Sequence, residues 1–344
     1  MTKLTDFPFY EPGKPPQYYK YHSEVSFPDE VERITGKRWG AQGIGKLREV
    51  VVVRPTEVEV DPLYDQDPSF FLFDGKKPDL ELMQKQHDGM VSVYKKLGIK
   101  VHYMEYPGGA RSAYGPLKRS ISAAVCCVIN GGALISREAT PYWRGRSLHA
   151  ARFLSSLGCP ILHTVIGKGV CEIGAFRRMT DDFIVGMLST DCNQDGLEQV
   201  RPILERSGYK KILIARTPGV LNYFYNDIVG WIHADMWIAP VDARLALIYP
   251  SWCDFETIRE LLALGYKPIE VPREEQLRAF VCNALTLEPR RLLMAEGAPQ
   301  TVKALEKEKV EVIQIPYDEV MKYGGGISCT TGRLIRDPGP KLFE

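Results

Sequence analysis

Few residue types in this chain stand where they could carry out covalent chemistry. Cys329 follows Gly324-Gly325-Gly326-Ile327-Ser328 and precedes Thr330-Thr331, a polar, glycine-rich setting in which a thiol could be approached from solvent. The other seven cysteines lie mostly in apolar runs such as Ala123-Ala124-Val125-Cys126-Cys127-Val128-Ile129, where cysteine acts as a small core hydrophobe. His233-Ala234-Asp235 places an imidazole and a carboxylate two residues apart; on a strand both would face one cavity, since side chains alternate with a period of two. Glu172 adds a second acid and Asn283 a neutral amide. A thiol, an imidazole and two carboxylates make up the set that nucleophilic catalysis needs. The imidazolium favours the thiolate, and a carboxylate orients the imidazole and holds its charge. A lone histidine on an apolar strand is more often a packed core residue, and an acid at a strand start is usually solvated, so the set counts only if the fold brings it together.

The elements that would do so recur along the chain. After a lead segment, residues 1–46, rich in Pro and Tyr, a strand-like run Leu47-Arg48-Glu49-Val50-Val51-Val52-Val53 stops at Pro55. Amphipathic stretches of helical length then fall at about 79–98, 141–157, 193–208, 254–264 and 298–308. Each leads into a short strand: Lys100–Met104, Cys159–Val165, Lys210–Ala215, Tyr266–Val271 and Val310–Ile315. Paired strands with tight polar turns repeat between them: Ser122–Ile129 turning at Asn130-Gly131-Gly132, Glu172–Met179 at Thr180-Asp181-Asp182, Ile232–Pro240 at Val241-Asp242-Ala243, and Phe280–Leu287 at Glu288-Pro289. The fifth pair would join the strand at Val50 to the segment around Cys329 and close a ring with the two ends of the chain. Five mixed strand–helix units, none able to bury its apolar face alone, predict one α/β domain over residues 47–344, a five-bladed pseudo-symmetric α/β propeller. Equivalent positions at the hairpin starts would meet at the axis: Ala123-Ala124, Glu172, His233 with Asp235, Asn283 and Cys329.

The glycine-rich run into Cys329, the His233-Ala234-Asp235 segment, and Asn283 followed by Leu285 and Leu287 before a turn together resemble the guanidino-group-modifying (pentein) superfamily of arginine deiminases, dimethylarginine dimethylaminohydrolases and amidinotransferases. The resemblance runs from about Leu47 to Arg336. It implies that Cys329 attacks a planar amidine-type carbon, and that His233 protonates the departing amine and then activates water or an amine. It further implies that Glu172 orients His233 or meets the substrate nitrogens, and that Asp235 binds a planar cation. A covalent thiouronium-type intermediate would pass to water in a hydrolase or to an amine in an amidinotransferase, with no metal and no organic cofactor. The chain departs from the family pattern at three places. Ala123-Ala124 stands where relatives carry Arg-Asp, which leaves one carboxylate clamp missing; Glu172-Ile173-Gly174-Ala175 stands for Glu-Gly-Gly-Asp; and Asp191-Cys192-Asn193 stands for an Arg-Thr-Asn that helps bind a substrate carboxylate. These departures make plain arginine a poor candidate and set Asp191 and Asn283 beside Asp235 as substrate-binding positions. A propeller that only binds a macromolecular partner is the alternative of another class.

Composition limits the rest. The 344 residues carry 44 Lys+Arg against 43 Asp+Glu, which argues against nucleic acid held by bulk charge; a small guanidino or amidino substrate is what the family resemblance implies. No apolar run reaches the roughly 18 residues of a membrane span, and residues 1–16 lack the apolar core of a signal peptide, so the reading is cytoplasmic, with reduced thiols and a homo-oligomer left open. Cysteine spacing suits neither a zinc cluster nor a disulfide scaffold. Gly43-Ile44-Gly45 and Gly167-Lys168-Gly169 lack phosphate-loop spacing. His87 is expected on a solvated helix surface, and His102 and His163 are expected to pack on strands. Arg119, Arg244, Arg333 and Arg336 could each bind a carboxylate, with surface salt bridging the plainer reading.

Overall fold

The structure, a computed structural model, describes residue 3 and residues 10–15, 25–56, 76–112, 115–116, 125–140, 143–216, 233–322 and 325–343. In chain order these form α1 (Phe27–Thr35), β1 (Leu47–Val52), α2 (Leu80–Lys96), β2 (Lys100–Tyr103), a short ribbon of β3 (Arg111–Ser112) and β4 (Gly115–Pro116), β5 (Cys126–Ile129), β6 (Gly132–Ile135), α3 (Arg146–Ser156), β7 (Ile161–Thr164), β8 (Arg177–Thr180), β9 (Phe183–Leu188), α4 (Gln194–Arg206) and β10 (Lys211–Arg216). The second half adds β11 (Ile238–Asp242), β12 (Leu245–Ile248), α5 (Phe255–Ala263), β13 (Lys267–Glu270), α6 (Arg273–Ala279), β14 (Leu285–Glu288), β15 (Arg291–Ala295), α7 (Pro299–Lys307), β16 (Glu311–Ile315), α8 (Asp318–Met321) and β17 (Gly332–Arg336).

The strands build five three-stranded sheets of one pattern: an antiparallel hairpin, a helical crossover and a third strand parallel to the second. In the fifth sheet the hairpin is made from the two ends of the chain, β17 running antiparallel to β1 while β2 lies parallel on its other side. This is the expected five-bladed α/β propeller, with the expected ring closure. Middle strands are covered on both faces and read as unbroken apolar runs, such as Val50-Val51-Val52 and Leu245-Ala246-Leu247-Ile248. Each such side chain, fully buried, contributes about 1.5–3 kcal/mol. The crossover helices start at side-chain caps that take orphan N–H groups: Asp79 accepts from Leu82, Asn193 from Gly196 and Asp254 from Thr257.

The edge strands β17, β5, β8, β11 and β14 face inward. Arg178 on β8 donates to the Val128 carbonyl on β5, and Arg336 on β17 donates to the Thr286 and Leu287 carbonyls on β14, which ties neighbouring blades around the axis. The end of the lead segment lies in the seam between β17 and β5: Gly40 donates to Leu334 and Ala41 to Val128, while Trp39 is buried with Val31, Val51 and Leu334.

Three local expectations change. His87 is wholly buried, because Met83, His87, Met90, Val91 and Tyr94 form one apolar stripe of α2 at spacings of three, four and seven, and the imidazole falls inside it. His233-Ala234-Asp235 is no strand: His233 is extended, and Ala234–Met236 is a 3-10 turn leading into β11. Arg333, expected at the surface, is buried near the axis. His102 and His163 lie on strands as expected, bonded to Glu49 and Gln199, and Arg244 is exposed and donates to main-chain carbonyls. All eight cysteines are buried free thiols. Among the described residues no helix is long and apolar enough to cross a membrane. Arg119, Ala123-Ala124, Gly230-Trp231-Ile232 and Gly324 lie outside the described residues.

Candidate active site

A short turn precedes each of three inner strands and delivers one or two side chains to the axis. Glu172 caps the 3-10 turn Ile173–Ala175 before β8, His233 caps Ala234–Met236 before β11, and Asn283 ends Val281–Asn283 before β14. Cys329 sits in the turn before β17. The structure therefore brings Cys329, His233, Glu172, Asp235, Asn283 and Asp191 together from five stretches of sequence, all of them buried except His233, which keeps a narrow exposed edge.

The Cys329 sulfur is 3.1 Å from Asn283 Nδ2, which donates to it, and 3.4 Å from Asp235 Oδ2, and it lies in hydrogen-bond contact with His233. Asn283 grips Cys329 twice, because its Oδ1 accepts the Cys329 N–H at 3.1 Å. The glycine run makes room for that grip: a Cβ on Gly326 would stand 2.7 Å from Asn283 Oδ1. Asn283 also donates to the Asp235 carbonyl, which fixes the His233-Asp235 turn to the same amide. At 7 % exposure the thiol is not the openly accessible group its glycine-rich setting suggests.

His233 Nε2 lies 3.3 Å from Glu172 Oε2 and 3.2 Å from Asp191 Oδ2, its N–H aimed squarely at neither. Burial opposes the imidazolium, but contacts with Asp191, Cys329 and Glu172 outweigh it and raise His233 well above its ordinary value. Glu172 moves the other way: burial would raise it, yet His233 and the charge of Arg146 hold it below the usual carboxylate range. Asp191 is raised, by burial and by the neighbouring Glu172 charge. Burial and the Asp235 carboxylate push the Cys329 thiol up, against the pull of His233 and Asn283.

Two acids and one imidazole therefore share a cation, and Asp191 faces the imidazole as closely as Glu172 does. One ligand atom each from Glu172, Asp191 and His233 falls within 4.8 Å of the others, so this trio is also the place where a divalent cation could be held.

Other residues supporting the site carry no sequence motif. Ala139 donates its backbone N–H to Glu172 Oε1 at 3.4 Å, and the buried Glu138 and Arg146 form an ion pair at 3.3 Å beside it, with Glu138 raised to about 7 by burial. Ser328, next to the nucleophile, accepts from both Arg177 and Arg333. The only hint in the sequence is a charge at positions the repeat makes innermost.

No family model matches the chain. It is 29% identical over 99% of its length, and over 94% of the other protein, to a 2-nitroimidazole nitrohydrolase of Mycobacterium sp. (strain JS330). Its fold is that of dimethylarginine dimethylaminohydrolase from Pseudomonas aeruginosa, solved with citrulline (TM-score 0.65, 18% identity, 84% of this chain and 99% of that one). It is equally that of an amidinotransferase of saxitoxin biosynthesis from Microseira wollei (TM-score 0.69, 16% identity, 89% and 99%).

Proposed function

We propose that this chain, which belongs to the guanidino-group-modifying (pentein) superfamily, is a cysteine-dependent hydrolase of a C–N bond at an sp2 carbon flanked by nitrogens. The observation that carries the reading is the contact set around one sulfur: Cys329 held by Asn283, bordered by Asp235, and touching an imidazole whose positive charge Glu172 and Asp191 sustain. A protein that only binds a macromolecule has no use for a buried imidazolium beside a buried thiol.

The residues supply each step. A cationic amidine seated against Asp235, whose Oδ1 is buried without a hydrogen-bond partner among the described residues, cancels the carboxylate charge beside the sulfur, and the thiol gives up its proton to solvent. The thiolate attacks the carbon to form a C–S bond. The bond to the departing nitrogen breaks, and His233 gives its proton to the leaving amine. Neutral His233 then takes a proton from water as the water oxygen bonds to carbon, the C–S bond breaks, and the thiolate returns. A weakly basic leaving group such as nitrite departs without a proton, so His233 then gives its proton to solvent before it activates water; the carbon of a 2-nitroimidazole keeps two ring nitrogens when nitrite leaves, just as a guanidine carbon keeps two when an amine leaves, and the relative named for that substrate favours including it. Asp191 at the imidazole, where relatives of this superfamily place an arginine for a substrate carboxylate, weighs against plain arginine.

The test is release of ammonia, ureido product or nitrite from a panel of arginine, agmatine, methylated arginines, guanidino acids, amidines and 2-nitroimidazoles, with Cys329→Ala as control. Turnover lost in the variant by on the order of a thousandfold or more establishes the hydrolase. If product forms only when an amine acceptor is supplied, the chain is an amidinotransferase. No turnover and an ordinary alkylation rate at Cys329 would overturn both.

A further inference from the structure

Below the catalytic turns, on the axis of the ring, four guanidinium groups are buried together: Arg177 and Arg178 from β8, Arg333 and Arg336 from β17. The first three are at most 8 % exposed, and the Nε of Arg336 is also out of reach of solvent. Their partners are neutral. Arg177 donates to Ser328 Oγ at 2.7 Å and to the carbonyls of Cys282 and Ala284; Arg178 donates to the carbonyls of Ala41 and Val128. Arg333 donates to Ser328 Oγ and the Gly174 carbonyl, and Arg336 to the carbonyls of Gly45, Thr286 and Leu287. Among the described residues no carboxylate lies within ion-pair distance of any of the four. Asp235 turns one oxygen to Cys329, and Asp181 accepts the Gly339 N–H.

Buried charges are ordinarily paired, because the cost of removing an ion from water is several kcal/mol even after the surroundings relax. Here like charges are stacked instead. Burial and the charges of Arg178 and Arg177 push Arg336 down to about 9, which still leaves it charged at neutral pH. A guanidinium does not escape such a site by losing its proton as a lysine would. The Nε atoms of Arg177, Arg333 and Arg336 are buried with no hydrogen-bond partner among the described residues. All four side chains line one partly open cavity with room for about 20 Å³, bordered also by Gly43, Ile44, Pro240 and Thr286. That volume suits a single occupant about the size of a water molecule.

We propose that this axial cavity binds one small inorganic anion of halide size, held by the guanidinium N–H groups of Arg177, Arg178, Arg333 and Arg336. The charge sign selects an anion, the unused N–H groups supply its ligands, and the small room between the guanidinium groups favours a halide over larger anions. The ion joins β8 to β17, the strand that closes the ring, so it acts on stability as a ligand of the folded state alone.

Two measurements on the native protein test it. In crystals grown without halide and soaked in bromide, anomalous density is expected inside the Arg177–Arg336 cavity. In solution the unfolding midpoint is expected to rise and saturate with bromide or chloride, compared with gluconate at the same ionic strength, gluconate being far larger than the room between the four guanidinium groups. Arg336→Met, if it folds, is expected to lose that difference. No density in the cavity and equal midpoints in halide and gluconate would overturn the proposal. So would bromide density at His233 alone, since the halide would then be acting at the catalytic imidazolium.

Discussion

Asp235 Oδ2 lies 3.4 Å from the sulfur of Cys329, so the thiol shares its pocket with a carboxylate before any ligand arrives. Asp235 raises the thiol while His233 lowers it. In the proposed mechanism the thiol rests protonated until a cation neutralises Asp235.

Asp235→Asn separates these two effects. Alkylation of Cys329 near neutral pH is expected to rise, by roughly tenfold, because loss of the adjacent negative charge favours the thiolate. Turnover of a cationic amidine is expected to fall by on the order of a hundredfold, because the buried ligand of the cation is gone. Iodoacetamide rates set beside steady-state turnover check both, and a fall in alkylation would contradict the assignment.

Asp191→Asn removes one of the two acids that hold the His233 charge. His233 stays above its ordinary value through Glu172 but drops from where both acids hold it. The proton needed by the leaving amine is then lost at lower pH, so the alkaline limb of the turnover profile moves down while the acid limb stays in place. A pH–rate profile of the variant measures the shift.

Gly326→Ala should cost activity without touching a reacting atom. The new methyl meets Asn283 Oδ1 at 2.7 Å and forces the amide off Cys329, at roughly 1–3 kcal/mol of stability. Lower turnover with a modestly lowered unfolding midpoint is expected. Full activity would mean that Asn283 does not position the sulfur.

His87 predicts an acid sensitivity away from the site. Both ring nitrogens are buried with no hydrogen-bond partner among the described residues, and burial pulls the imidazole down to about 4. The unfolded chain takes up a proton near 6.5 that the folded one refuses. Stability present above that value is therefore lost as pH falls toward 4, by about 3 kcal/mol in all. His87→Phe is expected to flatten the dependence of unfolding free energy on pH across that window, as denaturant titrations at several pH values would read.

How much of this was legible depended on whether the signal was local. The blades could be read because each middle strand is a short apolar run and each hairpin turns on polar residues, as at Asn130-Gly131-Gly132. Cys329, His233, Glu172 and Asn283 could be placed because each stands at the equivalent point of a repeat. The His233-Ala234-Asp235 segment was misread, since a period of two fits a strand as well as the 3-10 turn that forms there. The Glu172–Asp191 pairing about one imidazole was hidden because it depends on a bridge between Cys171 and Cys192, in which Glu172 donates its N–H to the Asp191 carbonyl across a gap no local pattern announces. The arginines were hidden for a related reason. On an inner strand, Arg177 and Arg333 look like solvent-facing charges until the ring shows that inward means the axis.

Ring closure by β1 and β17 also has a consequence for how the protein is made. A ribosome delivers β1 early and β17 only after the other four blades, with Cys329 three residues ahead of it. The nascent chain carries His233, Glu172 and Asp191 well before it carries a sulfur to sit beside them. The cluster around Cys329 is thereby completed only when the fifth blade closes, and a chain cut short before Gly332 would leave β1 with an open edge on the side where β17 should pair.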